Sequence, residues 1–125
     1  MILDSLLNNK NNLILKKMLD LSSKNHEVLL NNIANAETPG FVSKKFDFQG
    51  ALKQAIESGD KAQIEKVTGA IEKDFSRPFR MDKNNVDVES DLLELDENRM
   101  NYEMTASLLK KRLMFWKDVF EGVKN

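Results

Sequence analysis

Residues 87–125, DVESDLLELDENRMNYEMTASLLKKRLMFWKDVFEGVKN, decide the fold class of this chain. Within them, apolar and aromatic residues recur at spacings of three and four, which is the period of one face of an α-helix. Asp87 suits the N-cap, and acids dominate the first half of the segment while bases dominate the second, as the helix dipole favours. We therefore predict one long C-terminal helix over residues 87–125. Its apolar face, interrupted at Arg99, consists of Leu92, Leu95, Tyr102, Ala106, Leu109, Leu113, Trp116, Phe120 and Val123.

The second half of this helix is apolar on more than one face. Residues 113–116 read Leu-Met-Phe-Trp, and at about 100° per residue their side chains point in nearly every direction. A helix that is apolar all round is buried all round, whereas one partner helix covers a single stripe. The remaining surface is covered either by the middle of the chain or by other subunits, and we favour other subunits.

A second long helix is predicted over residues 1–36. Its seam is apolar except at Ser22 and His26, and the poor helix propensity of the asparagine-rich residues 8–12 predicts a late or frayed start. Paired with the C-terminal helix, it gives a mainly α fold in which two long helices form an α-helical coiled-coil hairpin. The seam consists of Leu15, Leu19, Ser22, His26, Leu29, Ile33 and Ala36.

The segment between the two helices, residues 37–86, is irregular in composition. We predict short helices over Ala51–Glu57 and Lys61–Glu72, separated by a Ser-Gly-Asp turn. Residues 77–80 (RPFR) are predicted to be extended or loop, because proline disfavours helical backbone in the residue before it. Residues 82–85 (DKNN) have the composition of a turn.

Composition argues against several classes of function. The chain has 125 residues, enough for one domain, and a net charge of −1, so no overall field attracts nucleic acid or an anionic membrane. With no cysteine and a single histidine, His26, we expect no metal and no cofactor. No apolar run is long enough for a membrane span, and the start lacks the apolar core of a cleaved secretion signal.

The first helix runs into residues 31–41, NNIANAETPGF. Asparagine bonds nearby backbone groups and tolerates left-handed backbone, so Asn35 suits a helix end. Pro39-Gly40 fits the central pair of a type II turn, since proline fixes the first φ and glycine supplies the positive second φ. By physical chemistry alone this is a helix stop before a loop. Three aromatic rings are expected to pin the exiting strand or loop to a helix surface, those of Phe41, Phe46 and Phe48.

Residues 31–41 resemble the N-terminal signature of the bacterial flagellar axial proteins, the family of rod and hook subunits. The chain departs from the family pattern with Phe41 in place of the usual tyrosine, Val42 in place of a frequent lysine, and Lys83 where glycine is frequent. The motif residues that the resemblance marks are Asn32, Ile33, Ala34, Asn35, Thr38, Pro39, Gly40 and Phe41. Four further stretches resemble the short proximal rod members of the family in particular: residues 46–52, 85–89, 97–102 and 108–113.

The resemblance implies a structural subunit of the flagellar basal-body rod, without catalysis. It implies export by the flagellar type III system without a cleaved signal, and assembly through coiled-coil termini into the hollow periplasmic rod that transmits torque and carries the export channel. Implied partners are other copies of the chain, FlgC and further rod subunits, the adaptor FliE and export-gate proteins at the inner-membrane ring. The predicted coiled-coil and subunit-interface residues are Leu15, Leu19, Leu29, Ile33, Leu92, Leu95, Tyr102, Leu109, Leu113, Trp116 and Phe120.

Other functions account for fewer of these features. Glu94 and Glu97 share a helix face, but without histidine partners they indicate a solvated acidic face and not a di-metal enzyme site. The basic residues 110–112 lie on the same helix beside leucines and indicate dipole complementation, not nucleic-acid binding. Another short rod subunit such as FlgC, or an unrelated helical coiled-coil adaptor, remains an alternative. The adaptor explains both apolar stripes but not residues 31–41.

Overall fold

The computed structural model describes residue 5 and residues 9–124. It is mainly helical, with two long helices packed together and a short mixed segment between them, which confirms the predicted fold class. The predicted helix over residues 1–36 falls partly outside the described residues. The elements are α1 (Lys10–Ala34), β1 (Lys44–Asp47), α2 (Gln49–Ser58), α3 (Lys61–Lys66), β2 (Ala70–Lys73) and α4 (Val88–Lys124).

Helix α1 begins inside the asparagine-rich run. Asn9 is its N-cap, and the Asn9 side chain accepts a hydrogen bond from the backbone N–H of Asn11 at 3.0 Å. The helix ends at Ala34 with Asn35 as C-cap. Asn35 has an ordinary φ of −101°, so hydrogen bonds and not left-handed backbone end the helix: its side-chain Nδ2 donates to the carbonyl of Asn31 at 2.8 Å.

Helices α1 and α4 are antiparallel and are joined by polar contacts at two heights. Asn98 Nδ2 donates to the carbonyl of Ser22 at 2.8 Å, and Asn25 Nδ2 donates to Asn98 Oδ1 at 3.3 Å. Fourteen residues further along α4, Arg112 Nε donates to Asn12 Oδ1 at 2.8 Å. Asn25 and Asn98 are both buried. A buried polar residue in a two-helix interface fixes the register, because a slip leaves it without its partner.

The apolar core lies on another face of α1, against the middle segment. Its buried residues come from α1, α2 and the end of α3, and partly buried residues surround them. The middle segment therefore covers α1 and leaves the last turns of α4 exposed, as the sequence interpretation favoured. The core is formed by Leu13, Leu21, Leu52, Ala55, Ile64 and Val67, with Ile14, Met18, Phe46, Phe48 and Ile56 packed around it.

The middle segment corrects one prediction. The helix predicted over Lys61–Glu72 ends at Lys66, and residues 70–73 form a strand that pairs antiparallel with β1, placing Ile71 opposite Phe46. The physical reason lies at Gly69, where glycine disfavours helix and where a Cβ would come within 2.2 Å of the Phe46 ring. The other predicted short helix is confirmed and is slightly longer than expected, at Gln49–Ser58.

Helix α4 begins as predicted, since Asp87 Oδ1 accepts a hydrogen bond from the backbone N–H of Ser90 at 3.1 Å. Its 37 residues give a length of about 55 Å. Among the described residues, no helix combines the length and the apolar character needed to cross a membrane.

Candidate functional site

The turn that follows α1 has the predicted geometry. The backbone N–H of Phe41 donates to the carbonyl of Thr38 at 3.2 Å, and Gly40 has a φ of +75°, which together confirm a type II turn at Pro39-Gly40. The backbone N–H of Gly40 donates to the carbonyl of Asp82 at 2.8 Å. The motif turn is therefore attached to the segment that precedes α4.

Asn84 lies at the centre of this attachment and is completely buried. Its Nδ2 donates to the carbonyls of Asn35 and Thr38, both at 2.9 Å, and its Oδ1 accepts from the backbone N–H of Val86 at 2.8 Å. One side chain thus satisfies backbone groups from the end of α1, from the motif turn and from the approach to α4. Buried polar groups need such partners, because an unsatisfied one costs about 1–3 kcal/mol.

Two more buried asparagines bind the exiting strand in the same way. Asn32 Nδ2 donates to the carbonyl of Lys44 at 2.7 Å, and Asn32 Oδ1 accepts from the Lys44 backbone N–H at 2.9 Å. Asn85 Oδ1 accepts from the backbone N–H of Ser43, and its Nδ2 donates to the carbonyl of Asp74, both at 2.6 Å. An amide side chain offers one donor side and one acceptor side, so it pairs with backbone as a neighbouring strand would.

Two arginines complete this arrangement. Arg80 donates to the carbonyl of Val86 at 2.9 Å and also to the carbonyl of Ala36. Arg77 donates to the carboxylate of Asp91, in the first turn of α4, at 2.9 Å. An arginine guanidinium is charged at physiological pH, and the hydrogen bond to Asp91 raises the pKa of Arg77 further.

We call the region formed by residues 32–44 and 74–91 the junction. It brings together the motif residues Asn32, Asn35, Thr38 and Gly40 by hydrogen bonds within the chain. Of the remaining motif residues, Ile33 and Phe41 are partly buried, whereas Ala34 and Pro39 are exposed. The partners that hold the motif were not predicted from the sequence, although two of them, Asn84 and Asn85, lie in the run of turn-forming residues 82–85. The missed partners are Arg77, Arg80, Asn84, Asn85 and Asp91.

The structure places the predicted interface residues in three classes. Leu29 is buried in the hairpin. Partly buried ones are Leu15, Leu19, Ile33, Leu95, Leu109 and Leu113. Exposed ones, each with more than a third of its surface accessible, are Leu92, Tyr102, Trp116 and Phe120.

The last turns of α4 are apolar and exposed on several faces. Trp116 is 39% exposed, Phe115 62% and Val123 81%, and the Phe115 and Trp116 rings meet edge to face with centroids 5.9 Å apart. Large exposed apolar areas on a protein mark sites of association. We call this area the terminal apolar surface; it consists of Leu108, Met114, Phe115, Trp116, Val119 and Val123.

Several curated proteins are similar to this chain over most of its length, and each is a flagellar basal body rod protein FlgB. The Bacillus subtilis protein is 28% identical, over 88% of this chain and 92% of its own. The Escherichia coli protein is 26% identical over 86% and 90%, and the Borrelia hermsii protein 28% over 74% and 82%. No family model matches the chain. These similarities confirm the resemblance to flagellar axial proteins.

Proposed function

We propose, from the premise that this chain belongs to the FlgB family of flagellar basal body rod proteins, that it builds the rod by burying the end of α4 against neighbouring subunits. The observation that carries the proposal is the terminal apolar surface. Its side chains are exposed although the middle segment packs onto α1, so the described chain leaves them for another molecule to cover. Burying one such side chain contributes about 1.5–3 kcal/mol.

The finer parts of the proposal follow from family membership. The neighbours are other copies of the chain, FlgC and further rod subunits, the adaptor FliE and the export-gate proteins. The assembled rod is periplasmic and hollow, transmits torque and contains the export channel, and the chain reaches it through the flagellar type III system. We assign the predicted interface residues on α4, from Leu92 to Phe120, to two kinds of contact. They form the seam with α1 and the contacts with neighbouring subunits.

We further propose that the motif residues have a structural role and that the chain is not an enzyme. Asn32 and Asn35 direct their amides at the chain's own backbone, and the Thr38 hydroxyl donates to the side-chain oxygen of Asn35, so these polar groups are engaged within the chain. A subunit that transmits torque needs its two helices connected stiffly, and the hydrogen bonds of the junction supply that connection.

The test is Trp116→Ala in a strain that lacks its own FlgB. We expect a large loss of swimming and few intact basal bodies, because buried aromatic residues dominate interface energetics. Lys117→Ala is the matched control, since Lys117 is an exposed neighbour on the same helix, and it should restore swimming fully. Electron microscopy of isolated basal bodies measures assembly directly. Normal swimming and intact rods with Trp116→Ala would contradict the proposal.

A further inference from the structure

A groove of about 750 Å³ lies between α1, α2 and the first half of α4. Each helix contributes apolar side chains to its lining, among them Met18 from α1, Leu52 from α2 and Met104 from α4. Helix α4 lines it from Glu94 to Thr105, which corresponds to about 16 Å of helix. The groove therefore runs along three turns of α4 and offers apolar side chains among polar ones.

The rim of the groove is negatively charged. It carries Glu57, Glu94 and Glu97, against one base, Lys53. Burial, and next to it the charge of Asp91, raise the pKa of Glu94, so ionised Glu94 is poorly stabilised within the chain. A base placed beside this rim would relieve that excess of negative charge.

The same chain carries a complementary surface further along α4. Leu108, Lys111, Phe115 and Val119 follow one another at spacings of three and four and so share one face of the helix. All four are exposed, and this face is distinct from the seam that faces α1. We call these four residues the stripe. It is also about 16 Å long, and it is flanked by the base Arg112 and the acid Asp118.

We infer that the groove of one copy receives the stripe of a second copy. The lengths match, the apolar side chains of the stripe meet the apolar side chains of the lining, and Lys111 meets the glutamates of the rim. The two surfaces cannot meet within one chain, because their centres lie about 21 Å apart along the same continuous helix. A contact between two different surfaces of identical molecules does not close on itself unless it forms a ring, so it propagates a filament.

This inference rests on the proposed function only in requiring that copies of the chain associate. Single cysteines test it without background, because the full chain contains none. A protein with Lys53→Cys in the rim is mixed with a tagged protein carrying Asp118→Cys beside the stripe, and a short bismaleimide is added. The matched control replaces the second protein with one carrying Lys117→Cys, since Lys117 lies on the opposite side of α4. We expect a mixed dimer in the first mixture and little in the control.

Charge reversal sharpens the test. Glu97→Lys in the rim protein should lower the yield of mixed dimer about fivefold, and so should Lys111→Glu in the stripe protein. Combined, the two reversals should restore the yield. Both residues are exposed, so the fold is expected to be retained, and circular dichroism checks this. Equal yields with Asp118→Cys and Lys117→Cys, no mixed dimer, or a combined reversal that stays low would overturn the inference.

The proposed function is tested separately, by electron microscopy of isolated basal bodies. Variants that restore rods while both mixtures cross-link equally would refute the groove and leave the rod function standing. Cross-linking as expected, from a chain that restores no rods, would refute the rod function alone.

Discussion

The two ends of the hairpin reverse the usual distribution of polar and apolar residues. At the junction, Asn32, Asn84 and Asn85 are almost completely buried and hydrogen-bonded to backbone. At the other end, Phe115 and Val119 are exposed, although they are among the most apolar residues of the chain. The junction is thus completed within one chain, whereas the end of α4 offers its surface to another molecule. Substitutions at the junction should therefore change the stability of the isolated chain, whereas substitutions at the end of α4 should change its association.

The largest effect is expected from Asn84→Ala. The substitution removes the partner of two partly buried carbonyls and of one buried backbone N–H, so the free energy of unfolding should fall by about 3 kcal/mol. Urea denaturation of the purified chain measures it. Asn31→Ala is the control, because the Asn31 side chain is exposed, and it should cost far less. Equal losses for the two variants would mean that the junction does not stabilise the fold.

A smaller loss, about 1 kcal/mol, is expected from Gly40→Ala. Nothing lies within 4 Å of the added Cβ, so the cost is that of holding an alanine at a φ of +75°. Gly50→Ala is the matched control, since Gly50 also has open space around its Cβ but lies in α2, where alanine is favoured. In thermal unfolding, the melting temperature should be highest for Gly50→Ala, lower for the parent and lowest for Gly40→Ala. The reverse order would show that the turn needs no positive φ.

A modest, pH-dependent gain is expected from Glu94→Gln. The pKa of Glu94 is higher in the folded chain than its ordinary value of 4.5. At a pH above the raised pKa, ionised Glu94 lowers the stability of the fold, and at a pH below 4.5 it has no such effect, because it is protonated in both states. The variant should therefore be more stable than the parent at neutral pH, and this difference should vanish below pH 4.5. Glu103→Gln, twelve residues along the same helix from Asp91, should show no such gain. Urea denaturation of the parent and both variants at several pH values measures these differences in stability.

The smallest effect on the isolated chain is expected from Phe115→Ser. Because the ring is 62% exposed, the free energy of unfolding should change by less than about 0.5 kcal/mol. Leu29→Ala, at a buried position of α1, should cost about 2–5 kcal/mol in the same measurement. A large loss of stability from Phe115→Ser would mean that the end of α4 is completed within the chain after all.

Much of the fold could be predicted from sequence, because its signals are local. The period of residues 92–123 gave the long helix, and Asp87 and Pro39-Gly40 gave the cap and the turn. Local signals failed at residues 67–72, because the helical spacing of Ile64, Val67 and Ile71 predicts a helix that continues past Lys66. There the pairing with β1 and the close approach of Phe46 to Gly69 decide the structure, and both depend on a strand more than twenty residues away.

The candidate site was predictable only in part for the same reason. The sequence showed the motif as a helix stop. The hydrogen bonds that attach the motif to the approach to α4 join residues about 45 positions apart, as between Asn84 and Thr38. The same region explains Lys83, which stands where the family frequently has glycine. Among the described residues, Lys83 is the one non-glycine residue with a positive φ, at 64°. Sequence gives the composition of such a turn but not which distant carbonyls it faces.

The buried side-chain amides of Asn25 and Asn98, between α1 and α4, also affect how regularly subunits can be spaced in an assembly. If α4 slipped by one turn, every side chain on its outer face would move by about 5.4 Å, and Asn25 would lose its bond to Asn98. A purely leucine-lined pair of helices tolerates such a slip far better. By excluding it, the amides ensure that identical molecules present identical outer faces at the same height, which is the geometric condition for a lattice with one constant step.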